Sequence, residues 1–211
     1  LLREPRFFAS HAEAAPDGLD HQIAAIRLRD QAVMINVEHV LELGLADFGL
    51  QILAHEVGHH VYVPGNLTDN GRLHAACARM LEGLPAPTSA MVANLYADQL
   101  LNDRLQRQAG LDMAAVYRQM AAHAGGPGSR AWQVVMRAYE HLWRLPDGTL
   151  TPAVVAEMDG DALLIARLLR SFAGEWLRGA RRSAVILYPY LAADRNAARR
   201  LESPDDRRLR R

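Results

Sequence analysis

Two histidines and a glutamate, in the run His55-Glu56-Val57-Gly58-His59, are the residues of this chain best suited to chemistry. On a helix, imidazoles four positions apart share a face and can hold one Zn²⁺, while the glutamate between them reaches the attacking water as general base. In a chain of 211 residues with nine histidines, an HExxH match arises by chance about two times in a hundred, so its setting matters. At about 100° per residue, Phe48, Ile52, His55, His59 and Tyr62 form one stripe, and Leu50, Leu53, Ala54, Val57 and Val61 form the opposite one. Apolar residues on both sides predict a helix buried on both sides. Imidazoles buried there would each cost ~1–3 kcal/mol unless satisfied, and one metal would satisfy both. The bland alternative is a pair of core histidines bonded to carbonyls.

A catalytic zinc site takes three protein ligands and keeps a position open, so a further donor is required. From Ser89 to about Gln108, the residues Met91, Leu95, Asp98, Asn102 and Leu105 recur at spacings of three and four, which places Asp98 and Asn102 in an otherwise apolar helix face. Asp98 is the expected third ligand. Asn94, Asp98 and Asn102 share a face, so they could instead hydrogen-bond the backs of the histidines, or tie helices together as a carboxylate and amide network. His60, one turn after Glu56, is a candidate to assist the base or stabilise a developing oxyanion, against a plain contact with Glu56. Tyr62 shares the ligand face and is expected to pack under the metal. His74, Tyr96 and Arg104 are further electrophile candidates, each more often structural.

His55-Glu56-Val57-Gly58-His59-His60 together with Asn94-Leu95-Tyr96-Ala97-Asp98-Gln99-Leu100-Leu101-Asn102-Asp103 resembles the zincin metallopeptidases of bacteria encoded beside von Willebrand factor A-like proteins and MoxR-type AAA+ ATPases. The resemblance spans roughly residues 23 to 108. It implies a zincin-like core with His55 and His59 as ligands, Glu56 as base and Asp98 as third ligand. It also implies an AAA+ ATPase and a von Willebrand factor A-like protein as partners. The sequence departs from the glutamate-zincin plan at one position. There, a ligand glutamate stands four residues before an aspartate that supports a histidine, and here Asn94 occupies its place. Asp98 is then either the ligand or the supporting acid of a site lacking its third ligand. The elongated metzincin motif is absent, since Tyr62 and Gly65 stand where it needs glycine and a third ligand.

The elements that must position these residues are read from pattern and punctuation. Residues 1–22 hold Pro5, Pro16 and Gly18 and read as an irregular lead-in. Ile23 to Leu28 and Ala32 to Val37 are strand-like, joined by Arg29-Asp30-Gln31 as a hairpin connection. A sheet edge of this kind can line an extended substrate by main-chain pairing; the alternative is a hairpin that only packs on the helix. Glu38 to Leu45 reads as a short helix, Asp47 as the N-cap of the motif helix, and Pro64-Gly65-Asn66 as its stop. Gly58 within that helix costs ~1 kcal/mol against alanine, which predicts a close backbone approach. Arg72 to Gly83 and Leu111 to Ala124 read as further helices, and Gly125-Gly126-Pro127-Gly128 is the strongest linker signal. Beyond it, Ser129 caps a helix to Leu145, Thr151 is a candidate N-cap before Pro152, and helical patterns continue through 153–158, 162–172 and 176–188. The expected organisation is a metal-binding core over 23–124, a helical support or docking region over 129–200, and a tail or linker over 201–211.

Composition excludes several classes. Formal net charge is zero and half the residues are apolar, which asks for no nucleic acid, and no apolar run is long enough to span a membrane. All basic residues are arginine, so no lysine can serve as Schiff base or general base. Cys77 is the only cysteine, which rules out an internal disulfide or a cysteine-rich zinc site and favours a reducing, cytoplasmic setting. The expected fold is mainly α with a small N-terminal β-hairpin or sheet, an α+β zincin-like core followed by helices. The expected function is a zinc-dependent metallopeptidase acting on a protein or peptide substrate. The alternative is a catalytically inactive zincin-fold adaptor serving in protein assembly.

Overall fold

The computed structural model describes residues 2–123, 125–152 and 154–201. The expected tail from residue 202 on lies outside them, as do Ala124 and Ala153 at the ends of two expected helices. The chain is mainly helical with one small sheet, in keeping with its patterning.

The lead-in is not wholly irregular. Arg6–Phe8 forms strand β1, and the Ser10 side chain accepts from the Glu13 N–H to start a single helical turn, α1, at His11–Ala14. Strands β2 (Ala24–Arg27) and β3 (Ala32–Asn36) form the expected hairpin within the predicted spans. β1 pairs parallel to β3 with Arg6 opposite Met34, an arrangement between distant segments that leaves no local signature. The order β1-β3-β2 makes β3 central, with all five residues buried, and leaves β2 at an edge. The Asn36 N–H donates to the Ile23 carbonyl at 2.9 Å, so Ile23 and Ala25 turn their main-chain groups toward β3. The alternation of an antiparallel ladder then turns those of Ala24 and Ile26 to the free edge.

Helix α2 (Val37–Glu42) starts where the Asn36 side chain accepts from the His39 N–H, and it ends before the predicted Leu45 because Gly44 adopts a φ of 63°. Asp47 does not cap the motif helix. It sits in a 3₁₀ turn at Ala46–Phe48, and α3 (Gly49–Val61) begins after Phe48 with no side-chain cap. α4 (Leu67–Met80) starts earlier than the predicted Arg72, because Asn66 accepts from the Asp69 N–H and turns the expected polar loop into a first helical turn. α5 (Ala86–Gln108) likewise begins before Ser89, since Pro87 is tolerated in a first turn whose N–H groups have no intrahelical acceptor. α6 (Met113–His123) and α7 (Arg130–Trp143, capped by Ser129) follow prediction. Thr151 caps nothing: it is buried, its N–H donates to Glu140, and α8 (Ala156–Ser171) begins beyond it. α9 (Trp176–Leu201) completes the described chain.

One apolar cluster runs from Val63 to Leu191 and draws on α4, α5, α7, α8 and α9, so the helices after the glycine-rich stretch share a core with those before it. α3 lies between this helical body, which it meets through α5, and the sheet, which it meets through β2 and β3.

Candidate metal centre

The site is built where α3 crosses α5. Gly58 meets Leu101 so closely that a Cβ there would lie 2.3 Å from Leu101 Cδ1, which is the close approach its presence predicts. That contact carries Asp98, one turn before Leu101, to the histidine face of α3. His55 Nε2 and His59 Nε2 are 3.1 Å apart, and Asp98 Oδ1 lies 3.2 Å from His59 Nε2 and 3.6 Å from His55 Nε2. Bonds to zinc of about 2.0–2.2 Å in tetrahedral geometry separate neighbouring donors by roughly 3.3–3.6 Å. Of the three observed separations one lies at the upper end of that range and two fall about 0.1–0.2 Å short of it, near the spacing of one face of a tetrahedron.

The outer contacts fix which lone pairs point inward. His55 Nδ1–H donates to Asn102 Oδ1 at 2.8 Å, and His59 Nδ1–H donates to the Val63 carbonyl at 2.8 Å. In its neutral form each ring, with its Nδ1 hydrogen so engaged, presents an unprotonated Nε2 to the same point. Asp98 Oδ2 accepts from Asn94 Nδ2 at 3.1 Å, whereas its Oδ1 is buried without a hydrogen-bond partner. Three acceptors facing one another with no donor between them are mutually repulsive, and a cation relieves all three. These residues fit a divalent metal.

Burial and charge act together on the acid and base groups. Glu56 is only 6% exposed. Burial raises its pKa, with Asp98 adding to the rise and His55, His59 and a hydrogen bond from the Ile26 backbone opposing it. For His59, burial pulls the pKa down, but hydrogen bonding and charge from Asp98, with a contribution from Glu56, outweigh it and the net shift is upward.

The site opens into a cavity of about 760 Å³. β2 forms one wall, with its free edge and the Ile26 backbone beside Glu56. Met91 and Asn94 of α5, His74 of α4, and Tyr117 and Met120 of α6 form others. Of the remaining sequence candidates, Asn94 and Asn102 contact Asp98 and His55 respectively. His60 does not line the cavity, and its Nδ1 is buried without a partner. Tyr62 does not pack under the metal position: it stacks beneath the Arg104 guanidinium at 3.8 Å, because α3 ends there and turns it outward. Tyr96 is buried with its hydroxyl against Gly179 of α9, away from the cavity. Nor is α3 buried on both sides, for Leu50 is 65% and Val61 57% exposed. α5 and the sheet between them bury Ile52, Glu56, Gly58 and His59 and leave Leu50 and Val61 uncovered. Sequence reading passed over Tyr117 and Tyr139, which reach Asn102 from α6 and α7 and carry no local motif.

A second cluster of His11, His39 and Glu42 also brings metal-ligand residue types together. Its hydrogen bonding runs the other way. Asn36 Nδ2 donates both to the Leu19 carbonyl and to His11 Nδ1, each at 2.9 Å, while its Oδ1 accepts from the His39 N–H. His11 Nδ1 is thus the acceptor, and the hydrogen on Nε2 donates to Glu42 Oε2 at 3.0 Å. His39 Nδ1 donates to the same oxygen at 3.1 Å. This carboxylate is satisfied by donors, and His11 has no lone pair to offer a metal.

Compared with models of known protein families, with curated proteins and with solved structures, the chain matches none. Among the described residues, no helix is long and apolar enough to cross a membrane.

Proposed function

We propose that this protein is a zinc-dependent peptidase. The observation that carries the reading is the triangle of His55 Nε2, His59 Nε2 and Asp98 Oδ1, 3.1–3.6 Å apart and close to the spacing of a tetrahedral face. Zinc held there supplies Lewis acidity, lowering the pKa of water and polarising a carbonyl oxygen. Glu56 receives the proton of the attacking water at its carboxylate and delivers it to the nitrogen of the leaving amine. Its burial favours this role, since a raised pKa lets the carboxyl hold the proton between the two transfers. A peptide is favoured over other amides by the cavity wall, because Ala24 and Ile26 line it along a strand edge that no described strand occupies. The family resemblance adds an AAA+ ATPase and a von Willebrand factor A-like protein as partners to this proposal.

The test is metal analysis of the purified protein together with hydrolysis of a mixed peptide library. About one zinc per chain is expected, and Glu56→Gln keeps that zinc while hydrolysis falls by about 10²- to 10⁴-fold. Zinc at full occupancy with no hydrolysis by the unaltered protein would instead assign the fold to a metal-retaining adaptor.

A further inference from the structure

The hydrogen-bond chain behind His55 continues past Asn102 into the second half of the molecule. Asn102 Nδ2 donates to the Tyr117 hydroxyl at 2.9 Å and to the Tyr139 hydroxyl at 3.0 Å, and the two phenol oxygens are 3.2 Å apart. Asn102 is fully buried and Tyr139 nearly so. The phenol rings are held in turn: Tyr139 stacks on Trp143 at 4.4 Å, and Tyr117 packs against Tyr139 at 4.6 Å between centroids. Both amide hydrogens of Asn102 are therefore used, and Oδ1 faces His55 Nδ1. With the amide reversed, Nδ2 would donate to His55 Nδ1 and force the hydrogen onto Nε2, the atom that faces Asp98 and His59. In the reversed amide both hydroxyls would donate to Oδ1, so the bond between them is lost, one buried N–H has no acceptor, and three hydrogen bonds replace four.

We propose that Tyr117 and Tyr139 are positioning residues that lock the Asn102 amide so that His55 can offer only Nε2 to a divalent cation. Neither phenol touches the metal position. Their effect is exerted on the tautomer of His55, and the zinc arm of the inference alone rests on the peptidase reading. Removing both hydroxyls leaves Oδ1 and Nδ2 with no preferred place, so both His55 tautomers become populated. Replacing Asn102 with an acceptor-only side chain removes the need for the lock, because a carboxylate can only accept from Nδ1–H.

The experiment compares the unaltered protein, Tyr117→Phe, Tyr139→Phe, the double substitution, and the double substitution combined with Asn102→Asp. Two quantities are read: the ring ¹⁵N shifts of His55 in metal-free protein, and zinc affinity by competition with a chromophoric chelator. The expected result is an Nδ1–H tautomer in the unaltered protein and a mixture in the double variant. Zinc affinity falls about 10- to 100-fold in the double variant, and Asn102→Asp restores the Nδ1–H tautomer. A double variant that keeps the Nδ1–H tautomer and binds zinc within twofold of the unaltered protein overturns the proposal. If the double variant does not fold, Tyr117→Phe decides, with an unchanged tautomer counting against it. Loss of the tautomer in the variants of a protein that binds no zinc would uphold the lock and refute the metal reading.

Discussion

Gly58→Ala probes the contact on which the site depends. The added Cβ would meet Leu101 Cδ1 at 2.3 Å, Cδ2 at 3.1 Å and Cγ at 3.2 Å. Rotating the leucine clears the methyls but not Cγ, and Leu101 is fully buried. A normal carbon–carbon contact of about 3.5–4.0 Å is restored by a shift of a few tenths of an ångström, taken up by the Leu101 side chain and by the spacing of α3 and α5. Overpacking of this kind costs about 1–3 kcal/mol, while alanine gains about 1 kcal/mol over glycine in helix propensity, leaving a net loss of about 0–2 kcal/mol. For a chain of this size that is a fall of up to about 8 °C in melting temperature. The larger consequence is at the site, because ligand distances are tolerated only within about 0.2 Å and Asp98 moves with α5. Zinc affinity is expected to drop at least about tenfold, or about 1.4 kcal/mol. Calorimetric melting and chelator competition measure the two effects, and Leu101→Ala in the same chain should recover affinity by removing the clash. A Gly58→Ala protein that melts no lower and binds zinc as tightly would refute the claim that this contact sets the triangle.

The stability of the metal-free protein and the increment given by zinc should depend on pH in opposite senses. Glu56 and His59 both have folded pKa values raised above their ordinary values of 4.5 and 6.5. Their contribution is therefore complete below those values and is lost as pH rises through the folded ones. Metal-free protein should melt progressively lower from about pH 5 to pH 8, with a flatter slope in Glu56→Gln, while the increment in melting temperature given by zinc grows over the same interval. The depressed carboxyls of Asp30, Glu42 and Asp159 act at lower pH and do not compete in this window. A metal-free melting temperature that climbs between pH 5 and 8 would contradict the assigned shifts. The donor-filled cluster at Glu42 predicts a simpler outcome: His39→Ala leaves bound zinc at its original stoichiometry, whereas His59→Ala abolishes it. A halving of zinc content in His39→Ala would mean that the cluster binds metal after all.

Local spacing carried much of this protein. Histidines four apart must share a helix face, a glycine inside a helix as at Gly58 marks a tight crossing without naming its partner, and the period of Asp98 and Asn102 places both on one face of α5. The β2–β3 hairpin and the Ser129 cap also depend only on residues within a few positions of each other. Spacing could not say which side of α3 is covered, because Leu50 and Val61 are as apolar as Ile52 and only the packing of α5 and the sheet distinguishes them. It could not show β1, whose three residues are ordered by a parallel partner far along the chain, nor the stacking of Arg104 on Tyr62. Asp98 was one of several acids a sequence could nominate. Its convergence with two imidazole nitrogens, and the reach of Tyr117 and Tyr139 to the amide behind His55, are distances between helices, and helical periodicity fixes directions within one helix but no separation between two.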